Sequence, residues 1–274
     1  ALLDKGLAEQ AERQVWRDPL ERQAFPPVAP PRLTPDQEAA WQDIAADLEA
    51  PASRPFLLQG VTGSGKTELY LRAVQRTLRQ GRGAIVLVPE IALTPQTLRR
   101  FGARFPATLA VMHSQLSDGE RYDQWRRIRS GDLRLVVGSR SAIFSPVRDL
   151  GLIVLDEEHE WTYKQEQTPR YHAREVAAQL TRLTGATLIL GSATPALESA
   201  YRAERGEYRL LALPQRILGH RQAVEAQGAS ARFRALEGAA EETLYADLPP
   251  VEVVDLRAEL HAGNTGIFSR ALRA

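Results

Sequence analysis

The 274-residue sequence predicts an α/β fold, with a mostly parallel sheet covered by helices on both faces. Three observations predict it. Short apolar runs alternate with amphipathic segments, the pattern of strand–helix–strand crossovers. The runs are apolar without interruption, as strands buried on both faces are. The polar motifs follow these runs directly, at the carboxyl ends of strands, where such sheets collect their chemistry.

The elements follow in order. Ala1–Leu7 reads as the end of a helix stopped by Gly6, the tail of a preceding domain over residues 1–17. Pro19, Pro26, Pro27, Pro30 and Pro31 oppose helix and sheet, so residues 18–32 read as an extended interdomain linker. Thr34-Pro35-Asp36-Gln37 then opens a helix through Trp41, Ile44 and Leu48, with Gln37 at the capping-box spacing from Thr34. Phe56–Leu58 is a strand, followed by a helix burying Leu69, Ala73 and Val74. Further strands are expected at Gly83–Val88, Thr108–Met112, Leu133–Val137, Gly151–Leu155 and Leu188–Leu190. Helices are expected from Thr94, from the capping box Ser117–Glu120 with Trp125 and Ile128 inward, and over Ala173–Leu183. Residues 33–213 thus form one lobe. Residues 214–250, rich in Ala, Glu, Arg, Gln and Gly, read as a spacer that is weakly helical or disordered. Val251–Val254 reads as a single strand that starts something new over 251–274.

Composition excludes several classes. At 43% hydrophobic residues the chain can build a core. No apolar run reaches membrane-spanning length and no signal peptide is visible, so the expected location is the cytoplasm. There is no cysteine, and the five histidines lack metal-ligand spacing. A net charge of +1 does not mark a globally basic nucleic-acid binder. The cluster Arg126-Arg127-Ile128-Arg129 is either a solvated helix face or a local phosphate contact.

The chemistry concentrates after the first strand. Gly60-Val-Thr62-Gly63-Ser64-Gly65-Lys66-Thr67 is a phosphate-binding P-loop. Its glycines let backbone N–H groups turn around a phosphate, and the following helix N-terminus adds partial positive charge. Lys66 is placed to reach the β- and γ-phosphates of ATP, and Thr67 to ligate Mg²⁺. Lysine is scarce, occurring only at Lys5, Lys66 and Lys164, which argues against coincidence. Asp156 and Glu157 follow the run Leu152–Leu155, where a P-loop ATPase keeps its magnesium-holding aspartate and the carboxylate that orients water. Gln37 either only caps its helix or also reads adenine, since a carboxamide pairs with N6 and N7 together. His159 is open between a surface, a core and a coupling role. In the loop 161–172, Trp161, Tyr163 and Tyr171 offer rings for stacking bases, and Lys164 and Arg170 offer cations for phosphates. The other reading of that loop is an apolar flap sealing the lobe.

Gly60–Thr67, Asp156–His159 and Gly191-Ser192-Ala193-Thr194 resemble motifs I, II and III of superfamily-2 helicases. Leu87–Gln96, His113–Ser117, Tyr163–Glu166, Pro169–Arg174 and Gly191–Ser199 narrow the resemblance to the PriA family, the bacterial primosomal replication-restart helicases. The resemblance covers about Leu33 to Leu213. It implies a RecA-like first motor lobe that binds ATP and Mg²⁺ and moves 3′ to 5′ on DNA. It gives Gln37 the adenine-reading role. It implies DNA coupling by His159, Ser192, Thr194, Arg140 and the 161–172 loop. Single-stranded and forked DNA, the primosome and single-strand-binding proteins are the implied partners. The family's second lobe carries cysteine-rich zinc sites and an arginine-bearing motif; this chain contains neither, and Val251–Arg257 resembles only the entry to that lobe, so residues 251–274 are expected to be its truncated start. The chain is therefore expected to be a fragment or a shortened protein with half an ATPase site. The competing expectations are a DNA-binding scaffold with a vestigial ATP site and another P-loop enzyme such as a nucleotide kinase.

Overall fold

A computed structural model describes residues 15–20, 25–50, 54–220, 243–246 and 253–273. Its centre is a seven-stranded sheet, built from β1 (Phe56–Gly60), β2 (Gly83–Leu87), β3 (Leu109–Met112), β4 (Leu135–Gly138), β5 (Leu150–Leu155), β8 (Thr187–Ser192) and β9 (Arg209–Leu213). The order across the sheet is β3-β4-β2-β5-β8-β1-β9, and every neighbouring pair is parallel. The helices α1 (Pro35–Glu49), α2 (Lys66–Arg79), α3 (Pro95–Arg104), α4 (Asp118–Ser130), α5 (Ala173–Thr184) and α6 (Leu197–Glu204) join or flank the strands.

The uninterrupted apolar runs divide between two faces, because successive strand residues point to opposite sides. Phe56, Leu58, Val86 and Val154 pack with Ile44, Leu69, Val74 and Phe101 from α1, α2 and α3. Leu57, Ile85, Ile153 and Leu155 pack with Ile128, Ala173 and Ala177 from α4 and α5. The starts of α1 and α4 are held by the expected capping boxes, Thr34 with Gln37 and Ser117 with Glu120.

Several expectations change. Trp125 does not point inward; it is exposed, and Ile128, Gln124 and Asp123 fill the buried face of α4. Strand β9 and helix α6 were not expected. Within the expected spacer, residues 216–220 and 243–246 are strands: β10 (Arg216–His220) pairs antiparallel with β11 (Thr243–Ala246). Val253 and Val254 are irregular rather than a strand, and the helix α7 (Leu256–His261) follows. The expected helix end at Ala1–Leu7, residues 221–242, Val251 and Glu252 lie outside the described residues.

The proline-rich stretch has no helix or strand over 25–34, and it runs along the lobe. Asp18 pairs with Arg127 at 2.8 Å, the Phe25 ring lies against Gly102 of α3, and Arg72 donates to the Pro31 carbonyl at 2.7 Å. Among the described residues, no helix is long and apolar enough to cross a membrane.

Candidate nucleotide and nucleic-acid site

Topology assembles the site. β5, β8 and β1 are neighbours in the sheet, so the loops after them meet at one edge. The P-loop leaves β1, Asp156–His159 leaves β5, and Ser192–Thr194 leaves β8. A cavity of about 830 Å³ opens there, lined by the P-loop, Asp156, Glu157, Gln37, the 25–32 strap and α3.

The P-loop is shaped for an anion. Gly65 has φ 85°, a left-handed conformation that a side chain would strain, and a Cβ there would also collide with the Gln37 amide. The Ser64 hydroxyl is buried without a hydrogen-bond partner. Such an orphaned donor beside a loop of backbone N–H groups fits a phosphate. Lys66 is almost fully buried; its Nζ donates to the Gly60 carbonyl at 2.8 Å and stands 3.7 Å from Glu157 Oε1. Thr67 lines the same cavity.

Gln37 uses both ends of its amide. Its Oε1 accepts from the Thr34 N–H at 3.0 Å, and its Nε2 donates to the Ser64 carbonyl at 2.9 Å. The capping role and a place beside the P-loop are thus compatible.

Asp156 is half-buried in the wall of this cavity, and the Tyr70 hydroxyl donates to its Oδ1 at 3.0 Å. Burial, followed by the nearby Glu157 charge, raises its pKa from 3.8 to about 6, and the Tyr70 bond only partly offsets this. A carboxylate so placed gains from a cation, so Asp156 and Thr67 suit a Mg²⁺ ion with phosphates beside it. Burial, reinforced by Asp156, pushes the Tyr70 hydroxyl well above its ordinary value. Glu157 adopts φ 46°, an uncommon conformation for a residue with a side chain, of the kind that costs roughly 1–3 kcal/mol.

The loop that carries this strain is pinned by Glu158. Its carboxylate, fully buried, accepts from Arg174 at 2.9 Å, from Ser199 at 2.8 Å and from the Ala196 N–H at 2.7 Å. The Glu158 N–H donates to the Gly191 carbonyl at 2.9 Å. His159 Nδ1 lies 2.7 Å from Ser192 Oγ, which also accepts from the Thr194 N–H at 3.0 Å. The acidic loop and the Gly191–Thr194 loop are therefore joined both through Glu158 and through His159.

The 161–172 loop departs from expectation. Trp161 is 78% exposed, whereas Tyr163 is fully buried and has no face to offer a base. The Tyr163 hydroxyl instead donates to the Asp156 carbonyl at 2.7 Å. Arg140 braces the loop: its Nη1 donates to the Thr162 carbonyl at 2.9 Å and to the Lys164 carbonyl. The loop closes as a small hairpin, β6 (Lys164–Gln165) against β7 (Tyr171–His172). Lys164 is half-buried; Arg170 is exposed, and its Nε donates to the Glu166 carbonyl. Tyr171 is half-buried and meets the exposed ring of Phe144 edge-on at 5.0 Å. In the Arg126–Arg129 cluster, Arg126 sits over Trp16 and Tyr122, Arg127 pairs with Asp18, and Arg129 sits over Trp125. Arg126 and Arg129 are exposed, and Arg127 is half-buried.

Sequence reasoning missed Tyr70, Arg174 and the structural use of Glu158. Tyr70 did carry a signal, a hydroxyl on the buried face of α2 one turn beyond Lys66. Arg174 carried none beyond its position in a motif.

Fold and site together define a P-loop nucleotide-binding lobe of the RecA-like kind, with acidic and hydroxyl-bearing loops converging on one cavity. The DEAD/DEAH box helicase family model matches residues 34–203, and the chain belongs to that family. Membership implies use of ATP and Mg²⁺. The chain is 46% identical over 268 residues to the replication restart protein PriA of Bacillus subtilis (strain 168), covering 98% of this chain and 30% of that protein. It is 44% identical over 278 residues to the PriA protein of Synechocystis sp., covering 100% of this chain and again 30% of the relative. The chain thus spans about 30% of the length of these relatives. Among solved structures, RecG bound to a three-way DNA junction matches with a TM-score of 0.52 at 24% identity, over 68% of this chain and 24% of that one. This last likeness is one of fold.

Proposed function

We propose that this chain is the ATP-binding motor lobe of a DNA helicase of the replication-restart kind, moving 3′ to 5′ when joined to a second lobe. The observation that carries this is the meeting of three motifs at adjacent strand ends: Lys66 and Thr67, Asp156 and Glu157, and Ser192 and Thr194. With nucleotide bound, Lys66, which here donates to the Gly60 carbonyl, would turn to the β- and γ-phosphates, and the P-loop N–H groups and Ser64 would hold the phosphate chain. Thr67 and Asp156 hold Mg²⁺, which when bound neutralises phosphate charge. Glu157 orients the attacking water. Gln37 reads the base. Trp161 is the ring that meets single-stranded DNA, and Tyr163 and Arg140 transmit that contact to the backbone of Asp156. His159 and Ser192 tie the same event to motif III. Kinship with PriA proteins suggests DNA at replication forks, primosome proteins and single-strand-binding proteins as partners, in the cytoplasm at the nucleoid.

Lys66→Ala tests the nucleotide site. A hydrogen bond to a charged group contributes roughly 1.5–3 kcal/mol, so calorimetry should show ATP–Mg²⁺ affinity falling about tenfold or more. Unchanged affinity would remove the P-loop from the reading.

A further inference from the structure

The chain leaves the lobe across the phosphate loop. β9 lies beside β1, and the Val61 N–H donates to the Leu213 carbonyl at 3.3 Å. After Pro214 the chain turns, and the Ile217 N–H donates to the Gly63 carbonyl at 2.9 Å. Gly63 has φ 81°, and Arg216 lies across it, with Cγ 3.2 Å and Nε 3.3 Å from the position a Cβ would take. Ile217 Cδ1 stands 3.4 Å from the corresponding point at Gly65, the point on which the Gln37 amide nitrogen also closes. Ile217 lines the same cavity as Gln37, Thr34 and Arg32.

We propose that Ile217 is the apolar wall of the base subsite, and that the start of β10 is a built part of the nucleotide site. The proposal rests on the reading of Gln37 as the base reader. A base held edge-on by a carboxamide leaves its flat face to be covered, and a partly exposed branched aliphatic side chain beside that carboxamide covers it without competing for hydrogen bonds. Arg216 is a positioning residue. Its stem packs on Gly63, while the Ile217 N–H holds the Gly63 carbonyl on the side of the exit strand. The base is thereby sensed by the segment that leads out of the lobe, whereas the phosphates meet the P-loop and not the Ile217 side chain.

The test compares two ligands on the full 274-residue chain, Mg–ATP and Mg–inorganic tripolyphosphate, by titration calorimetry. Ile217→Ala removes most of the wall, and ATP affinity should fall about tenfold while tripolyphosphate affinity stays within about twofold. Ile217→Leu, which keeps the apolar volume, should restore most of the ATP affinity. Equal weakening of both ligands would show that Ile217 only props the P-loop, and unchanged ATP affinity would show that it meets no base; either overturns the proposal. Lys66→Ala serves as the separate arm. It should weaken both ligands, and if it weakens neither, the nucleotide-site reading fails on its own account.

Discussion

Replacing Asp156 by Asn should stabilise the metal-free chain at neutral and alkaline pH, although it removes a residue central to the site. The carboxyl is half-buried and poorly solvated beside Glu157, and its pKa rises from 3.8 to about 6. A group that holds its proton more tightly when folded favours folding at low pH and opposes it at high pH. Below pH 3.8 both states are protonated and no penalty exists. Between about pH 4 and 6 the unfolded chain has released a proton that the folded chain keeps, so stability falls as pH rises. Above pH 6 the folded chain bears the whole cost of an ionised carboxylate in that position. A rise from 3.8 to about 6 corresponds to about 3 kcal/mol. Asparagine keeps the shape and still accepts from the Tyr70 hydroxyl, but carries no charge. Urea unfolding in EDTA should find Asp156→Asn more stable than the parent by about 3 kcal/mol at pH 8, the gap closing to below about 1 kcal/mol at pH 4. Saturating Mg²⁺ should then raise the stability of the parent and not of the variant, because ligand binding to the folded state adds to its stability. A variant less stable than the parent at pH 8, or a gap independent of pH, would refute the reasoning.

Other expectations follow from the same geometry. Arg174→Ala leaves the fully buried Glu158 carboxylate without its cation and should cost about 3–5 kcal/mol in urea unfolding, with Glu158→Gln/Arg174→Met recovering most of it. Tyr163→Phe keeps the ring in the core and removes the bond to the Asp156 carbonyl; stability should drop by about 1 kcal/mol, and in a motor completed by a second lobe DNA stimulation of ATP hydrolysis should fall while basal hydrolysis persists. Trp161→Ala, at a 78% exposed position, should leave the melting temperature unchanged and weaken single-stranded DNA binding, a stacked ring contributing roughly 1–3 kcal/mol per base. If Trp161→Ala instead destabilises the fold, the loop is an apolar flap.

The P-loop, the acidic loop and their placement after buried strands were legible in the chain because they depend on neighbours in sequence. Gly60–Thr67 reads as a loop between a strand and a helix, and short uninterrupted apolar runs such as Leu152–Leu155, bounded by polar motifs, read as strands buried on both faces. The capping boxes at Thr34 and Ser117 were legible for the same reason. What tertiary structure alone decided is which residues meet across distance. Nothing local distinguishes the buried Tyr163 from the exposed Trp161, since both are aromatic residues of one polar loop and only the packing of that loop on the sheet separates them. Arg140 and Arg174 read alike as cations, yet one braces a loop by its carbonyls and the other neutralises a buried carboxylate. The exit strand crosses the P-loop because β9 lies beside β1, a neighbourhood set by the strand order, which local sequence pattern does not encode. Side-chain type and spacing determine the elements and the chemistry they can carry, whereas burial, pairing and pKa depend on the parallel sheet that brings the ends of β5, β8 and β1 together.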